Sequence, residues 1–190
     1  PYSTPIDLWL SKVGKAEPFA GNYATRRGQH MEAFVLSTFA DEHPGMIIDT
    51  APDDMPSIVA HPDVPEARCS LDALAHDPLR SYVVEIKTGN SRQVSRWEDG
   101  DMPDTYKAQV AYSLAVTGLD TAYVAADIGG DYLERVIHAD KAFTDYVLEF
   151  VADWWAVHII RGQMPDPDVV RDRDVHPQLW TADVTMETVT

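Results

Sequence analysis

The stretch from Ser70 to Lys87 constrains this chain more than any other. Tyr82-Val83-Val84-Glu85-Ile86-Lys87 is rich in β-branched and aromatic residues and reads as a strand. Side chains alternate along a strand, so Tyr82, Val84 and Ile86 share one face and Val83, Glu85 and Lys87 the other. A glutamate and a lysine two apart therefore lie on one face, beside the apolar run that ends near Asp72. An Asp, a Glu and a Lys on one patch can bind a hard divalent cation through the carboxylates and place a water or phosphate with the amine. The same three residues also describe a solvated strand face with a cross-strand ion pair. Only the rest of the chain separates the two readings.

The elements around this strand follow from local signals. Ser3 to Leu10 reads as a short helix, with Ser3 or Thr4 as cap and Pro5 in its first turn, stopping near Gly14. Tyr23 to Asp41 reads as a longer helix, with Met31, Phe34, Val35 and Thr38 at helical spacing and Gly28 one turn before Glu32. Met46-Ile47-Ile48 and Pro56 to Ala60 are short strands around the turn Ala51-Pro52-Asp53-Asp54. Ala67 to Ala75 is read as one strand leading to the strand at 81–87, so that the whole makes a small antiparallel meander.

Beyond Lys87, a loop carries Arg92, Arg96 and Trp97. Asp104 then opens a helix through Val116, with Gly118 as its C-cap. On it Tyr106, Gln109 and Ser113 form one stripe, and Val110, Leu114 and Thr117 the next. Thr121–Ala126 and Asp131–Ile137 flank Gly129-Gly130 as a hairpin. A last helix is expected from about Asp140 to Ile160, with Phe143, Val147, Phe150, Trp154 and Val157 as its apolar stripe. Residues 165 to 190 read as an extended tail rich in Asp and Pro, with Leu179 and Trp180 as a docking point. The fold class expected is α/β (α+β), a central mixed sheet flanked by helices.

Composition limits the function. With 190 residues there is room for one sizeable core. There is no long uncharged run to span a membrane, and Pro1 in place of a methionine points to a chain that begins inside a longer one. A single cysteine, Cys69, excludes an internal disulfide framework and a cysteine-based zinc cluster, and fits a reducing, cytoplasmic setting. The seven histidines form no HExxH pattern. A net charge of −16 excludes indiscriminate coating of nucleic acid. It does not exclude a local site: between residues 80 and 107, Arg80, Lys87, Arg92, Arg96 and Lys107 balance Glu85, Glu98, Asp99, Asp101 and Asp104.

Read together, Glu32 on a helix behind Gly28, Asp72, then Glu85-Ile86-Lys87, then Tyr106 and Gln109 follow the order of the PD-(D/E)xK nuclease superfamily. The finer text resembles its YqaJ-like viral recombinase, or phage-type (lambda-like) exonuclease, family. The matching segments are Tyr2 to Leu10, Arg27-Gly28-Gln29-His30-Met31-Glu32, Ser70-Leu71-Asp72-Ala73 and Glu85-Ile86-Lys87. They continue through Trp97, Pro103 to Val110, Val116-Thr117-Gly118 and Trp154-Trp155. The likeness runs over about residues 2 to 168, so residues 1–168 are expected to be the nuclease domain and 169–190 an acidic tail.

The resemblance implies roles residue by residue. Asp72, Glu85 and the backbone carbonyl of Ile86 would hold Mg²⁺, or Mn²⁺, with Glu32 completing the shell. Lys87 would orient or help deprotonate the attacking water, and Gln109 would shape the site. Arg27, Arg92, Arg96, Tyr106 and Lys107 would contact DNA. The implied activity is 5′→3′ exonucleolytic digestion of linear duplex DNA in phage-type recombination. A single-strand annealing protein is the implied partner, and a trimer the implied assembly. Ala73 stands where the family often has Gly, and Thr88-Gly89 where it often has Cys-Pro. The family's opening segment before Tyr2, which contributes to DNA-end contacts, is missing from this sequence. The alternatives are an endonuclease of the same superfamily and a noncatalytic DNA-binding recombination protein. An iron–sulfur nuclease is disfavoured because it needs four cysteines.

Overall fold

The computed structural model describes residues 3–16, 20–50, 58–168 and 171–172. These residues fall into two compact units, Phe19–Trp154 and a smaller one built from the two ends of the chain.

The larger unit is organised on a five-stranded mixed sheet in the order β1-β4-β5-β6-β7. Its strands are β1 (Ile47–Asp49), β4 (Ala73–His76), β5 (Ser81–Gly89), β6 (Thr121–Ile128) and β7 (Asp131–His138). Only β5 and β6 run parallel, in the register Glu85↔Val124 and Lys87↔Ala126. Helix α3 (Asp104–Thr117) lies in the crossover between them, as a parallel pair requires. The central position of β5 follows from its sequence: Tyr82, Val83, Val84, Glu85 and Ile86 are all buried.

The alternation expected for β5 divides the core. Val83 packs with Val110 and Leu114 of α3 and with Ala122, Val124 and Ala126. Tyr82, Val84 and Ile86 pack on the opposite face with Val35 and Phe39 of α2 (Tyr23–Glu42). Glu85 and Lys87 share the face of Val83 and so look toward α3. The α2 contact is made by Val35 and Phe39, one turn apart, whereas Phe34 is 60% exposed. The expected stripe of Met31, Phe34, Val35 and Thr38 was set about one residue out of phase, because Phe39 outweighs Phe34 in buried area.

The meander is not what forms. The expected strand from 67 to 75 breaks at Leu71-Asp72 into β3 (Arg68–Ser70) and β4. β3 leaves the main sheet to pair with β2 (Ile58–Ala60), and β1 pairs directly with β4. The cause is Leu71, which turns into the α3-side core at 5% exposure and ends the strand alternation there. The turn at 51–54 and residues 56–57 lie outside the described residues.

Two 3-10 turns, Ser91–Arg96 and Glu98–Gly100, replace the expected loop after β5. They close tightly on Gly89, where an added Cβ would lie 2.2 Å from Gln93 Oε1. Helix α3 ends on Gly118 in the left-handed conformation, the C-cap its sequence predicts. Helix α4 (Lys141–Trp154) is shorter than expected and passes into a π-helical turn, Trp155–Ile160. No α4 residue is fully buried, and Phe150, expected in its apolar stripe, is 52% exposed.

In the smaller unit, α1 (Pro5–Lys12) begins at Thr4, whose hydroxyl and Asp7 form a reciprocal capping box. Trp9 Nε1 donates to the carbonyl of His158 at 3.0 Å. Of the expected tail, residues 165–168 and 171–172 are described: Arg171 donates to the carbonyl of Ser3, and Asp172 is buried. Leu179 and Trp180 lie outside the described residues. No helix among the described residues is long and apolar enough to cross a membrane.

Candidate active site

The site forms where β4 stops and β5 continues. Antiparallel pairing carries the two strands from His76↔Ser81 to Ala73↔Val84 and then ends. Beyond it, Glu85, Ile86 and Lys87 have β6 on one side and, among the described residues, no strand on the other. The Asp72 side chain takes the place of the missing strand: its Oδ2 accepts the N–H of Ile86 at 2.7 Å. In a strand the N–H and C=O of one residue point to the same neighbour. The carbonyl of Ile86 therefore faces the edge that Asp72 occupies.

Glu85 is 2% exposed, and burying a carboxylate costs several kcal/mol unless it is compensated. Its Oε1 contacts Lys87 Nζ and accepts Gln109 Nε2–H from α3 at 2.5 Å. Lys87 Nζ also lies over the Tyr106 ring, 5.2 Å from its centroid. Tyr106 in turn packs against Trp97 at 6.0 Å, and Trp97 sits beneath Arg135 of β7. Arg135 donates to the carbonyls of Trp97 (2.6 Å) and Asp101 (3.1 Å), which fixes the turns after β5.

Three carboxyl groups are held above their usual range. For Glu85 the main cause is burial, opposed by Lys87 and reinforced by Asp72 and Glu32. Asp72 is raised by burial against the lowering effects of the Ile86 N–H and Lys87. Glu32, on the exposed side of α2, is raised by partial desolvation and then by the charge of Asp72, while Lys87 opposes. Lys87 is thus one cation among three mutually repelling carboxylates. An arrangement short of positive charge is the physical signature of a site built for a cation or a proton.

The donors fit a hard divalent metal: carboxylate oxygens and a main-chain carbonyl, with no sulfur or imidazole among them. Among the described residues, no three His, Cys, Asp or Glu side chains stand close enough to cage a metal by themselves. Mg²⁺ does not require such a cage, since it keeps several waters and takes one or two carboxylates.

The structure thus brings Asp72, Glu85, Ile86, Lys87, Tyr106 and Gln109 together, while Glu32 stays exposed on α2 and reaches them through its charge. Arg27, Arg92 and Arg96 lie at the surface, and none enters the cluster. Lys107 is engaged elsewhere, by Asp101 at 2.6 Å and Asp104 at 3.1 Å. Two residues of this neighbourhood escaped the sequence reading. Arg135 has no local signal, since its partners lie 34 and 38 residues away. Tyr112 had one: it lies three residues after Gln109, about one helical turn along α3.

The fold and this cluster define a class, a mixed sheet with acidic groups and a lysine gathered at the end of a strand pair. It is similar to crystal structures of LHK-Exo, an alkaline exonuclease from Laribacter hongkongensis. The complex with dAMP matches with a TM-score of 0.69 at 18% identity, over 92% of this chain and 84% of that one. A second structure of that enzyme gives 0.68 at 18% identity, over 93% and 84%. At this identity the likeness is one of fold. Residues 1–120 match the YqaJ-like viral recombinase domain, and the chain belongs to that family. It is also 26% identical over 171 residues to the YqaJ protein of Bacillus subtilis (strain 168). That match takes in 88% of this chain, which spans about half (51%) of the relative's length.

Proposed function

We propose that this chain is a divalent-metal-dependent deoxyribonuclease, an exonuclease that digests linear duplex DNA from its ends with 5′→3′ polarity in phage-type recombination. The observation that carries this reading is Glu85: a carboxylate 2% exposed, tied to Lys87 and Gln109, with Asp72 at the open strand edge beside it. The family and the fold support it. The family is one of viral recombinases, and the structural neighbour is an alkaline exonuclease that binds dAMP.

On this reading Asp72, Glu85 and the Ile86 carbonyl hold Mg²⁺, or Mn²⁺ in its place, with Glu32 joining directly or through water. When bound, the cation offsets the carboxylates and supplies positive charge to the phosphoryl oxygens. Lys87 orients the attacking water at Nζ, and the Tyr106 ring limits where that ammonium can move. Gln109 holds Glu85 so that its oxygens stay directed into the site. Tyr106 and the surface residues Arg27, Arg92 and Arg96 meet the phosphate backbone. Lys107 joins them when phosphate displaces Asp101 and Asp104. A single-strand annealing protein as partner, a trimeric assembly, and action in the cytoplasm of a bacterial or phage-infected cell belong to the same proposal.

The test is digestion of a 5′-phosphorylated linear duplex and a covalently closed circle, each with Mg²⁺ and with EDTA. The expected result is loss of the linear duplex only, and only with Mg²⁺. Cutting of the circle would instead mark an endonuclease. DNA binding without cutting would mark a noncatalytic recombination protein. Undiminished cleavage in EDTA would remove the metal from the reading.

A further inference from the structure

We propose that Tyr112 is a positioning residue that fixes Asp72 through the main chain of β3, and thereby sets how tightly the site holds its divalent cation. The inference rests on the reading of Asp72 and Glu85 as cation ligands.

Among the described residues, β3 has one strand neighbour. Along one edge it pairs with β2, Ala60 opposite Arg68. Along the other, a single side chain acts in place of a second strand. Tyr112 Oη accepts the N–H of Arg68 at 3.1 Å and donates to the carbonyl of the same residue at 3.2 Å. A neighbouring strand residue would satisfy the same two groups in the same way. A two-stranded hairpin standing off the main sheet is marginal alone, so this attachment matters for where it sits.

The chain from Cys69 to Leu71 is tied to the same helix. Cys69 is half-buried and packs against the core that Val110 and Leu114 of α3 help to form. Leu71 is buried in the core formed with Val110 and Leu114. The next residue is Asp72. Helix α3 therefore governs both carboxylates: Gln109 holds Glu85 directly, and Tyr112 holds the backbone that delivers Asp72. Burial pushes the Tyr112 hydroxyl up, so it keeps the proton it donates to Arg68 throughout the neutral range. A metal site is sensitive to such outer contacts because they decide ligand spacing while the ligands themselves are unchanged.

The test uses the full chain and Tyr112→Phe, which keeps the ring and deletes only the hydroxyl. Mn²⁺ binding is measured by calorimetry without DNA, and hydrolysis is titrated with Mg²⁺. The expected result is metal affinity weaker by about tenfold, with hydrolysis restored at saturating Mg²⁺. Cys69 is the chain's one cysteine, so its labelling by a thiol reagent in EDTA reads the docking of β3 independently of activity. It should quicken in the variant. Arg68→Pro removes the partner N–H while leaving the phenol in place, at an edge position where proline is tolerated. It should weaken Mn²⁺ binding in the same direction. Unchanged Mn²⁺ affinity in Tyr112→Phe overturns the proposal and leaves the nuclease reading standing. Lower turnover at saturating metal with unchanged half-saturation overturns it too, since that is a general structural defect. A native chain that binds no Mn²⁺ overturns the cation reading, and this proposal with it.

Discussion

Asp72 and Asp77 stand at opposite ends of the same hairpin, β4–β5. At the turn, Asp77 is supplied with donors: Oδ1 accepts the N–H of Leu79 (2.7 Å) and Arg80 (2.9 Å), and Oδ2 accepts the Tyr82 hydroxyl (2.6 Å). Those bonds, the Tyr82 hydroxyl first, hold its carboxyl below the usual range. At the open end, Asp72 has the single N–H of Ile86, and burial holds it above that range. One aspartate closes a turn and is satisfied by doing so. The other is left short of donors beside a buried glutamate, a cost that the one bond from the Ile86 N–H offsets only in part. On the proposed reading, residues in that condition belong to the functional end of the hairpin.

The largest effects should separate the two ends by activity. Asp72→Asn, Glu85→Gln and Lys87→Met are each expected to lower Mg²⁺-dependent hydrolysis of linear duplex by about a thousandfold or more. Asp77→Asn should leave turnover at the native level. Lys87→Met should still bind Mn²⁺, whereas Asp72→Asn should not, and calorimetry distinguishes them. Native turnover in Lys87→Met would break the comparison at its centre.

Stability should reverse the order. In EDTA at pH 7, Asp72→Asn is expected to melt above the native chain, because it removes a carboxylate that folding must desolvate. Asp77→Asn should melt below it. The pH dependence carries the sign. Asp77 has a folded value below its ordinary 3.8, so its contribution is complete above that value and is lost as pH falls through the lower folded one. Asp72 has a folded value above 3.8, so its burden is present at neutral pH and lifts as pH falls through that value. Thermal unfolding from pH 7 to pH 2 should therefore show both variants converging on the native chain. Asp72→Asn should converge first. Convergence in the opposite order would show that the donors have been assigned to the wrong ends.

The sequence made one of these ends readable and concealed the other's construction. Alternation alone placed Val83, Glu85 and Lys87 on one face, because β5 is buried on both sides and a slip of one residue would reverse every contact. Glu32 and Gln109 were reachable by motif order, since each sits on a helix with its own start and stop signals. The break at Leu71-Asp72 was not reachable. Residues 67 to 75 carry no glycine or proline, and the end of β3 is set by the burial of Leu71 against α3, a contact decided some forty residues later in the chain. Tyr112 was half legible: its place one turn after Gln109 on α3 could be read, but its partner Arg68, 44 residues away, could not. Phe34 and Phe39 offered two nearly equivalent phases for α2, and only the sheet selects between them.

The smallest effect concerns two glycines that differ in the same sense as the two aspartates. Gly89 is structural: a Cβ there would meet Gln93 Oε1 at 2.2 Å and Ile128 Cδ1 at 2.9 Å. Gly89→Ala should lower the melting temperature modestly, because the ends of the Gln93 and Ile128 side chains must give way to admit the methyl group. Gly28 lies inside α2, one turn before Glu32, and a Cβ there meets nothing within 4 Å. With no packing reason for glycine, Gly28→Ala should stabilise the metal-free protein by about 0.5–1 kcal/mol through helix propensity alone. If the open space beside Glu32 receives the DNA backbone, the same change should raise KM for duplex DNA while stability rises. Measured together, the two parameters separate a position left open for a ligand from one that is merely tolerant. A gain in stability with unchanged KM would place the DNA path away from α2 and confine it to the α3 side of the site.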